Sequence, residues 1–147
     1  MYDYEDLIGV PFLDGGRTIS EGLDCYGLAT LIYARAGLVL PDYRVCAQDA
    51  VAIDGTIAAG RGHWQSLAAS ELDNAPCPCL VVMRFNQVEL CNHVGVYIGN
   101  GRFVHTREKI GVNVDRLDSP AWNKKIEGFY IPKIGTVKHA KQTSNNS

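Results

Sequence analysis

The amino-acid sequence predicts an α+β fold, with helices in its first half and an antiparallel β-sheet in its second half. The segment from Leu23 to Gly37 has apolar residues at helical spacing. From Cys79 onward, runs rich in β-branched and aromatic residues are separated by turn residues, as in consecutive short strands. The chain has 147 residues, which is enough for one hydrophobic core and too few for two ordinary domains. We therefore predict a single domain over residues 1–135 and a polar, flexible tail over residues 136–147.

The helix from Leu23 to Gly37 is the best marked element because both of its ends carry signals. Asp24 is suited to cap the N-terminus, and Leu23 and Leu28 are spaced to pack together as a hydrophobic staple. Gly37 suits the left-handed position that ends many helices. This assignment places Cys25 in the first turn.

The remaining elements are assigned from composition and turn signals. Pro11 and a glycine pair predict a loop over Val10–Arg17. Shorter helices are predicted at Tyr2–Gly9, Ala47–Ala59 and Trp64–Leu72. Strands are predicted at Leu80–Phe85, His93–Ile98, Arg102–Thr106, Gly111–Asp115 and Glu127–Ile131.

The overall composition argues against several functional classes. A net charge of -2 and a pI near 6.0 show no basic excess, so we expect no nucleic-acid partner. No apolar run approaches the roughly 18–20 residues that cross a bilayer, so we expect no membrane span. The acidic start, Met1–Asp6, lacks the features of a secretory signal, which predicts synthesis in a cytoplasm without export along that route. Five cysteines are an odd number, so at least one of them cannot form an internal disulfide; together with the missing signal, this favours reduced thiols.

Cys25 is the candidate nucleophile. The first turn of a helix offers backbone N–H groups and a positive dipole end that favour a thiolate. The same N–H groups suit the oxyanion that forms when sulfur attacks a carbonyl. Taken alone, a cysteine here is more often a small buried apolar residue, so the interpretation depends on its partners.

Residues His93 to His105 predict a β-hairpin that turns at a Gly-Asn-Gly sequence. Its register decides whether the two histidines share a face of the sheet. A two-residue Asn-Gly loop would pair Ile98 with Phe103 and put the imidazoles on opposite faces. A three-residue loop with a bulge would pair Ile98 with Arg102 and put both on one face. We predict the second arrangement.

That register predicts two covered faces. One face would hold His93, Gly95, Tyr97, Phe103 and His105, and the other Val94, Val96, Ile98 and Val104. Gly95 would leave room for the Cys25 helix to approach the histidines. His93 would then take the thiol proton and later donate to a leaving amine, while His105 fixes its tautomer.

The sequence resembles the NlpC/P60 family of cysteine peptidases at three places. Leu23–Leu28 is similar to the family's Asp-Cys-(Ser/Trp)-Gly nucleophile motif, His93–His105 is similar to its histidine block, and Gly9–Gly16 is similar to its upstream loop. The resemblance implies a papain-like NlpC/P60 fold, and N-terminal helices packed on a C-terminal antiparallel sheet. It also implies hydrolysis of peptidoglycan stem peptides, commonly between D-glutamate and a diamino acid, without a cofactor.

The same resemblance implies the site residues. Cys25 would be the nucleophile, His93 the base and His105 the polar third residue, with Phe12, Asp24, Tyr26 and Gly95 around the substrate and the oxyanion. Two of these depart from the family. Phe12 stands where the family has a tyrosine, so any role of that hydroxyl is either missing here or taken by another group such as Tyr26. Tyr26 itself replaces the usual serine, which would narrow or reshape the cleft.

Within the family, the chain resembles short proteins encoded among phage tail genes through Ile8–Arg17 and Arg116–Trp122. This implies synthesis in a bacterial cytoplasm, other tail proteins as partners, and a place in the virion tail that brings the enzyme to the wall. A different hypothesis is a tail-assembly structural protein with an idle hydrolase site. A third keeps the Cys-His chemistry but applies it to acyl transfer or another amide.

The other candidate ligands carry less weight. Cys46, Cys77, Cys79 and Cys91 could be imagined as metal ligands, but their spacing fits no standard zinc or iron–sulfur pattern, and we predict no metal. Cys79 and Cys91 are expected in the core. His63 is expected to pack on its neighbour, and Trp122 to act as a packing anchor.

Overall fold

The computed structural model describes residues 4–40, 64–75, 78–84 and 93–133, and residues 138–139 by their backbone. The predicted α+β architecture is confirmed. Helix α1 spans Cys25–Arg35, and short 3-10 helices span Glu5–Leu7 and Ala69–Asn74. The strands are β1 (Arg17–Thr18), β2 (Gly22–Leu23), β3 (Leu38–Val39), β4 (Trp64–Leu67), β5 (Leu80–Met83), β6 (His93–Gly99), β7 (Arg102–His105), β8 (Asn113–Arg116), β9 (Ile126–Pro132) and β10 (Lys138–His139).

Six strands form one antiparallel sheet in the order β4-β9-β5-β6-β7-β8. Strands β1 and β2 form a separate two-stranded ladder directly before α1. Strand β6 lies near the middle of the large sheet, and all seven of its residues are buried. The candidate base His93 is therefore placed by a strand that is hydrogen-bonded on both sides.

Helix α1 packs on one face of the β6–β7 hairpin. Its buried side chains and the even-numbered residues of the hairpin belong to one core cluster, which includes Leu28, Ala29, Ile32, Tyr33, Val96, Ile98 and Val104. The opposite face is covered by a second cluster, which includes Val81, Met83, Tyr97, Phe103 and Trp122. Both faces of the hairpin are buried, as predicted from the alternation of side chains along its two strands.

The hairpin has the predicted same-face register. Tyr97 pairs with Phe103, so odd-numbered residues of β6 and β7 lie on one face. A bulge between Tyr97 and Gly99 shifts the last pair, and Gly99 instead of Ile98 lies opposite Arg102. Asn100 has φ 55°, a left-handed value that asparagine tolerates better than most residues. The bulge thus absorbs the extra residue of the turn.

The predicted helix at Trp64–Leu72 is wrong in its first part. Trp64–Leu67 form β4, which pairs with β9 at the edge of the large sheet, and Ala69–Asn74 form a 3-10 helix. Cross-strand hydrogen bonds outweigh the weak helical preference of this alanine-rich segment. Of the helix predicted at Tyr2–Gly9, the described residues 4–9 form only the 3-10 turn Glu5–Leu7. The helix predicted at Ala47–Ala59 lies outside the described residues.

Part of the predicted tail makes a backbone contact. Lys138 and His139 pair antiparallel with Leu38 and Val39, and the other residues of 136–147 lie outside the described ranges. None of the helices in the described part of the chain has the length and apolar character needed to span a membrane.

Candidate active site

The Cys25 side chain lies where the start of α1 meets the large sheet. It is half-buried and packs, with Tyr26 and Tyr130, against Val82 and Val94. Backbone hydrogen bonds from Val94 and Tyr26 stabilise its anionic form. Since Val94 follows His93 directly, the sulfur lies beside the strand segment that carries the candidate base.

The surroundings of Cys25 do not favour a resting thiolate, contrary to the expectation from its helical position. Burial raises the pKa of the thiol to about 11, and the neighbouring Asp24 carboxylate adds to the increase. The N–H groups of Val94 and Tyr26 and the Arg17 guanidinium lower it only in part. The negative cap residue therefore offsets the benefit of the helix dipole, and the thiol needs a base to lose its proton.

The two predicted histidines contact each other directly. His93 Nε2 lies 2.8 Å from His105 Nδ1, and both rings are buried. Burial, His105 and Arg107 together lower the pKa of His93 well below its ordinary value. The neutral imidazole has a lone pair that can accept a proton. The lowered pKa of His93 and the raised pKa of Cys25 both oppose transfer of the thiol proton in the resting site.

The predicted role of Gly95 is wrong. A Cβ at this position would lie 3.0 Å from Phe103 and 3.1 Å from the Cβ of His105, so the missing side chain makes room for strand β7. Helix α1 packs on the opposite face, against the even-numbered residues. Cys25 therefore reaches the neighbourhood of His93 at the start of β6, where the Val94 N–H meets the sulfur.

The Trp122 ring contacts both histidine rings, which is more than the packing role expected from the sequence. Its ring stacks on His93 at 5.7 Å with an interplanar angle of 22°, and it meets His105 edge-on at 4.8 Å. The guanidinium of Arg107 lies 5.5 Å from the centre of the Trp122 ring. Trp122 thus limits the rotation of both imidazoles and holds a positive charge near them.

Asp115 is a member of the cluster that sequence reasoning missed. Its Oδ2 lies 2.7 Å from His105 Nε2 and accepts a hydrogen bond from Asn113 Nδ2 at 3.1 Å. Strand alternation could have found it, because Val114 packs on the helix side of the sheet and its neighbours therefore face the histidines.

Asp24 and Arg17 hold the backbone next to Cys25 in place. One oxygen of Asp24 accepts from the N–H of Gly27 at 2.7 Å, which is the predicted N-cap, and also from Arg17 at 2.7 Å. The other accepts from the Gly15 N–H at 3.0 Å. With these donors in place, Asp24 holds the loop before α1 and fixes the position of the first helical turn.

Two aromatic side chains, Tyr26 and Tyr130, pack in the same cluster as Cys25. Phe12 forms a backbone bridge with Leu23, two residues before Cys25, and the Arg17 guanidinium lies 5.9 Å from the centre of the Tyr26 ring. Tyr130, which was not predicted as a site residue, packs beside Cys25 and donates its hydroxyl to Glu127 at 3.0 Å.

The remaining cysteine and histidine hypotheses are only partly covered by the structure. Cys79 is a free thiol in the core, as predicted. Cys46, Cys77, Cys91 and His63 lie outside the described residues. Within the described ranges, no group of three or more His, Cys, Asp or Glu side chains could hold a metal ion.

A cysteine at a helix start, packed on an antiparallel sheet that carries two buried histidines, is the arrangement of the papain-like class. The profile of the NlpC/P60 family matches residues 9–130 of this chain. The chain therefore belongs to the NlpC/P60 family, a family of cysteine peptidases.

Individual relatives agree with this membership. The chain is 30% identical over 127 residues to gamma-DL-glutamyl hydrolase of Bacillus subtilis, a match that covers 85% of this chain and 27% of that protein. It is 30% identical over 126 residues to murein DD-endopeptidase MepS/murein LD-carboxypeptidase of Escherichia coli K12, covering 85% and 57%. A solved structure of a lipoprotein-like NLP/P60 protein of Staphylococcus aureus matches with a TM-score of 0.57 and 27% identity, covering 85% and 37%. The chain spans 27% and 57% of the length of these two curated relatives.

Proposed function

We propose that this chain is a cysteine peptidase that hydrolyses amide bonds in peptidoglycan stem peptides, with Cys25 as nucleophile and His93 as base. The observation that carries the proposal is the placement of the sulfur against the backbone of Val94, next to a buried His93 whose Nε2 is engaged by His105. The similarity to relatives whose names state glutamyl hydrolase and murein endopeptidase activity supports the substrate class.

In the proposed reaction, His93 Nδ1 takes the Cys25 proton as the sulfur attacks the carbonyl carbon of the scissile amide. The carbonyl oxygen becomes an oxyanion that the N–H groups at the start of α1 stabilise. When the tetrahedral intermediate collapses, the C–N bond breaks and His93 donates its proton to the leaving amine. Water, deprotonated by His93, then attacks the thioester, which releases a carboxylic acid and restores the thiol.

The test is digestion of purified peptidoglycan followed by mass spectrometry of the released fragments. The parent protein is expected to release peptides with new amino and carboxyl ends, and the Cys25→Ala variant is expected to release none. Cys79→Ala is the matched control, because it removes the other described free thiol and leaves the site intact. Equal release by the parent and the Cys25→Ala variant would remove Cys25 from the mechanism.

The biological setting that we propose is a phage tail, in which the virion carries the enzyme to the wall and other tail proteins hold it. This rests on the resemblance of Ile8–Arg17 and Arg116–Trp122 to proteins encoded among tail genes. Mass spectrometry of purified particles is expected to detect the chain in the tail fraction. Its absence from particles of a phage that encodes it would contradict this setting.

A structural tail-assembly protein with an idle site is the second candidate, and one observation favours it. Burial and the Asp24 carboxylate raise the pKa of the Cys25 thiol to about 11, so the resting thiol is protonated at pH 7. Particles with Cys25→Ser separate the two functions. If they assemble and infect normally, while deletion of the gene stops tail formation, the structural role is correct.

A further inference from the structure

The hydrogen-bonded chain that begins at His93 does not end at His105. It continues from His105 Nε2 to Asp115 Oδ2, a distance of 2.7 Å, and the same oxygen accepts from Asn113 at 3.1 Å. In the β7–β8 ladder, His105 lies opposite Asn113 and Phe103 lies opposite Asp115, so Asp115 reaches His105 diagonally. The His105 side chain is fully buried, whereas the side chain of Asp115 is 28% exposed at the outer end of the chain.

The identity of each donor follows from the chemistry of the last group. An ionised carboxylate can only accept, so His105 Nε2 must carry a hydrogen and donate it to Asp115. A neutral imidazole has one N–H, so His105 Nδ1 is then an acceptor. His93 Nε2, 2.8 Å away, must be the donor to it. This leaves the lone pair of His93 on Nδ1.

Both imidazole rings are neutral near pH 7, because the fold lowers the pKa of each. Burial lowers the pKa of His105, and hydrogen bonding to Asp115 opposes the shift only in part. Burial, His105 and Arg107 lower the pKa of His93 further. Among the described residues, the charged groups that act on His105 are Asp115 and Arg107.

We propose that Asp115 is a positioning residue that selects, through His105, the His93 tautomer able to accept the Cys25 proton. This inference rests on the proposed function, in which His93 is the base. Without an acceptor at position 115, His105 can carry its hydrogen on Nδ1. His93 would then shift its own hydrogen to Nδ1, where it meets the thiol as a donor and accepts nothing.

The test is nuclear magnetic resonance of protein with ¹⁵N-labelled histidine, in which two-bond couplings identify the protonated ring nitrogen. In the parent protein at pH 7.5, His93 and His105 are expected as Nε2–H tautomers. In Asp115→Leu, which has no acceptor, His93 is expected to populate the Nδ1–H form. A His93 that stays entirely Nε2–H in folded Asp115→Leu would overturn the proposal.

Two further variants sharpen the measurement. Asp118→Leu is the matched control, because it removes an equal charge from an exposed ion pair with Arg116 and is expected to leave both tautomers unchanged. Asp115→Asn keeps an acceptor oxygen but loses the charge, so it is expected to retain the Nε2–H tautomers and to lower the midpoint of the His105 titration. An unchanged midpoint would also overturn the proposal, even if Asp115→Leu does not fold.

Cleavage kinetics add a separate readout. On a soluble stem peptide, Asp115→Leu is expected to lower kcat at least about 10-fold with KM unchanged, and Asp115→Asn is expected to restore part of the rate. The tautomer measurement does not depend on turnover. If the parent protein cleaves no peptidoglycan but its tautomers respond to Asp115→Leu, the proposed function fails and the positioning role stands.

Discussion

At the scale of single residues, Cys25 experiences two opposing influences. The N–H groups of Val94 and Tyr26 stabilise its anion, while burial and the Asp24 carboxylate destabilise it more strongly. The His93 ring beyond Val94 is stacked on Trp122 and hydrogen-bonded to His105, so its orientation is restrained from two sides. Under the proposed function, the reactivity of the thiol therefore depends on a base held in place, and not on a preformed ion pair.

The raised pKa of the Cys25 thiol determines how this residue responds to alkylation. The rate of its reaction with iodoacetamide in the free protein is expected to rise with pH to a midpoint at about 11, because only the thiolate reacts and burial disfavours it. The measurement is peptide mass spectrometry of the Cys25 adduct across a pH series, with the Cys25→Ala protein as a blank. A reactive plateau at or below pH 7 would mean that the resting site is a thiolate–imidazolium pair.

At the scale of elements, the position of Cys25 depends on how α1 begins. The Asp24→Ala variant is expected to lower the free energy of unfolding by roughly 1–3 kcal/mol, because it removes the N-cap acceptor and leaves Arg17 without its partner carboxylate. Asp24→Asn should lose less because it keeps a capping oxygen. Urea denaturation measures both.

The control for the Asp24 variants is Asp118→Ala, whose ion pair with Arg116 is exposed and is expected to contribute at most about 1 kcal/mol. Equal losses for Asp24→Ala and Asp118→Ala would contradict the assigned role of the cap.

Local signals in the sequence predicted the elements that carry the chemistry. Asp24 and Gly37 mark the two ends of α1. Of the two registers that the Gly-Asn-Gly turn allows, the predicted one with a bulge places His93 and His105 on one face. Local sequence signals were weak where contacts with other segments decide the secondary structure. Trp64–Leu67 became a strand because β9 was available to pair with it.

Local sequence patterns could not predict which distant segments contact each other. The role of Trp122 arises from packing around the histidines, and periodicity carries no information about which ring lies on which. Strand alternation indicates the face on which Asp115 lies, but not its hydrogen bond to His105. Gly95 was assigned to the wrong neighbour because the pattern shows which residues share a face but not which face the helix covers.

At the scale of the whole molecule, the buried histidines couple folding to pH. In the unfolded chain a histidine has a pKa near 6.5, and in the fold the pKa values of His93 and His105 are both lower. Above that pH both states are neutral and the histidines contribute no pH dependence. As the pH falls below about 6.5, the unfolded chain takes up protons that the folded chain does not, so stability decreases.

The expected slope is up to ~1.4 kcal/mol per pH unit for each of the two histidines. Urea unfolding between pH 7.5 and 5 measures it. The His93→Gln/His105→Gln double variant is the control, and its stability should depend less steeply on pH. A parent protein that becomes more stable toward pH 5, or a double variant with the same slope, would contradict the assignment of neutral buried rings.

The central claim is that Cys25 and His93 act as one catalytic unit, and a double-mutant comparison of stem-peptide cleavage tests it most directly. Cys25→Ala and His93→Ala are each expected to lower kcat at least about 10³-fold. The kcat of the double variant is expected to equal that of the less active single variant, because either change alone disables the unit. Substantial activity in either single variant, or losses that multiply in the double variant, would contradict the claim.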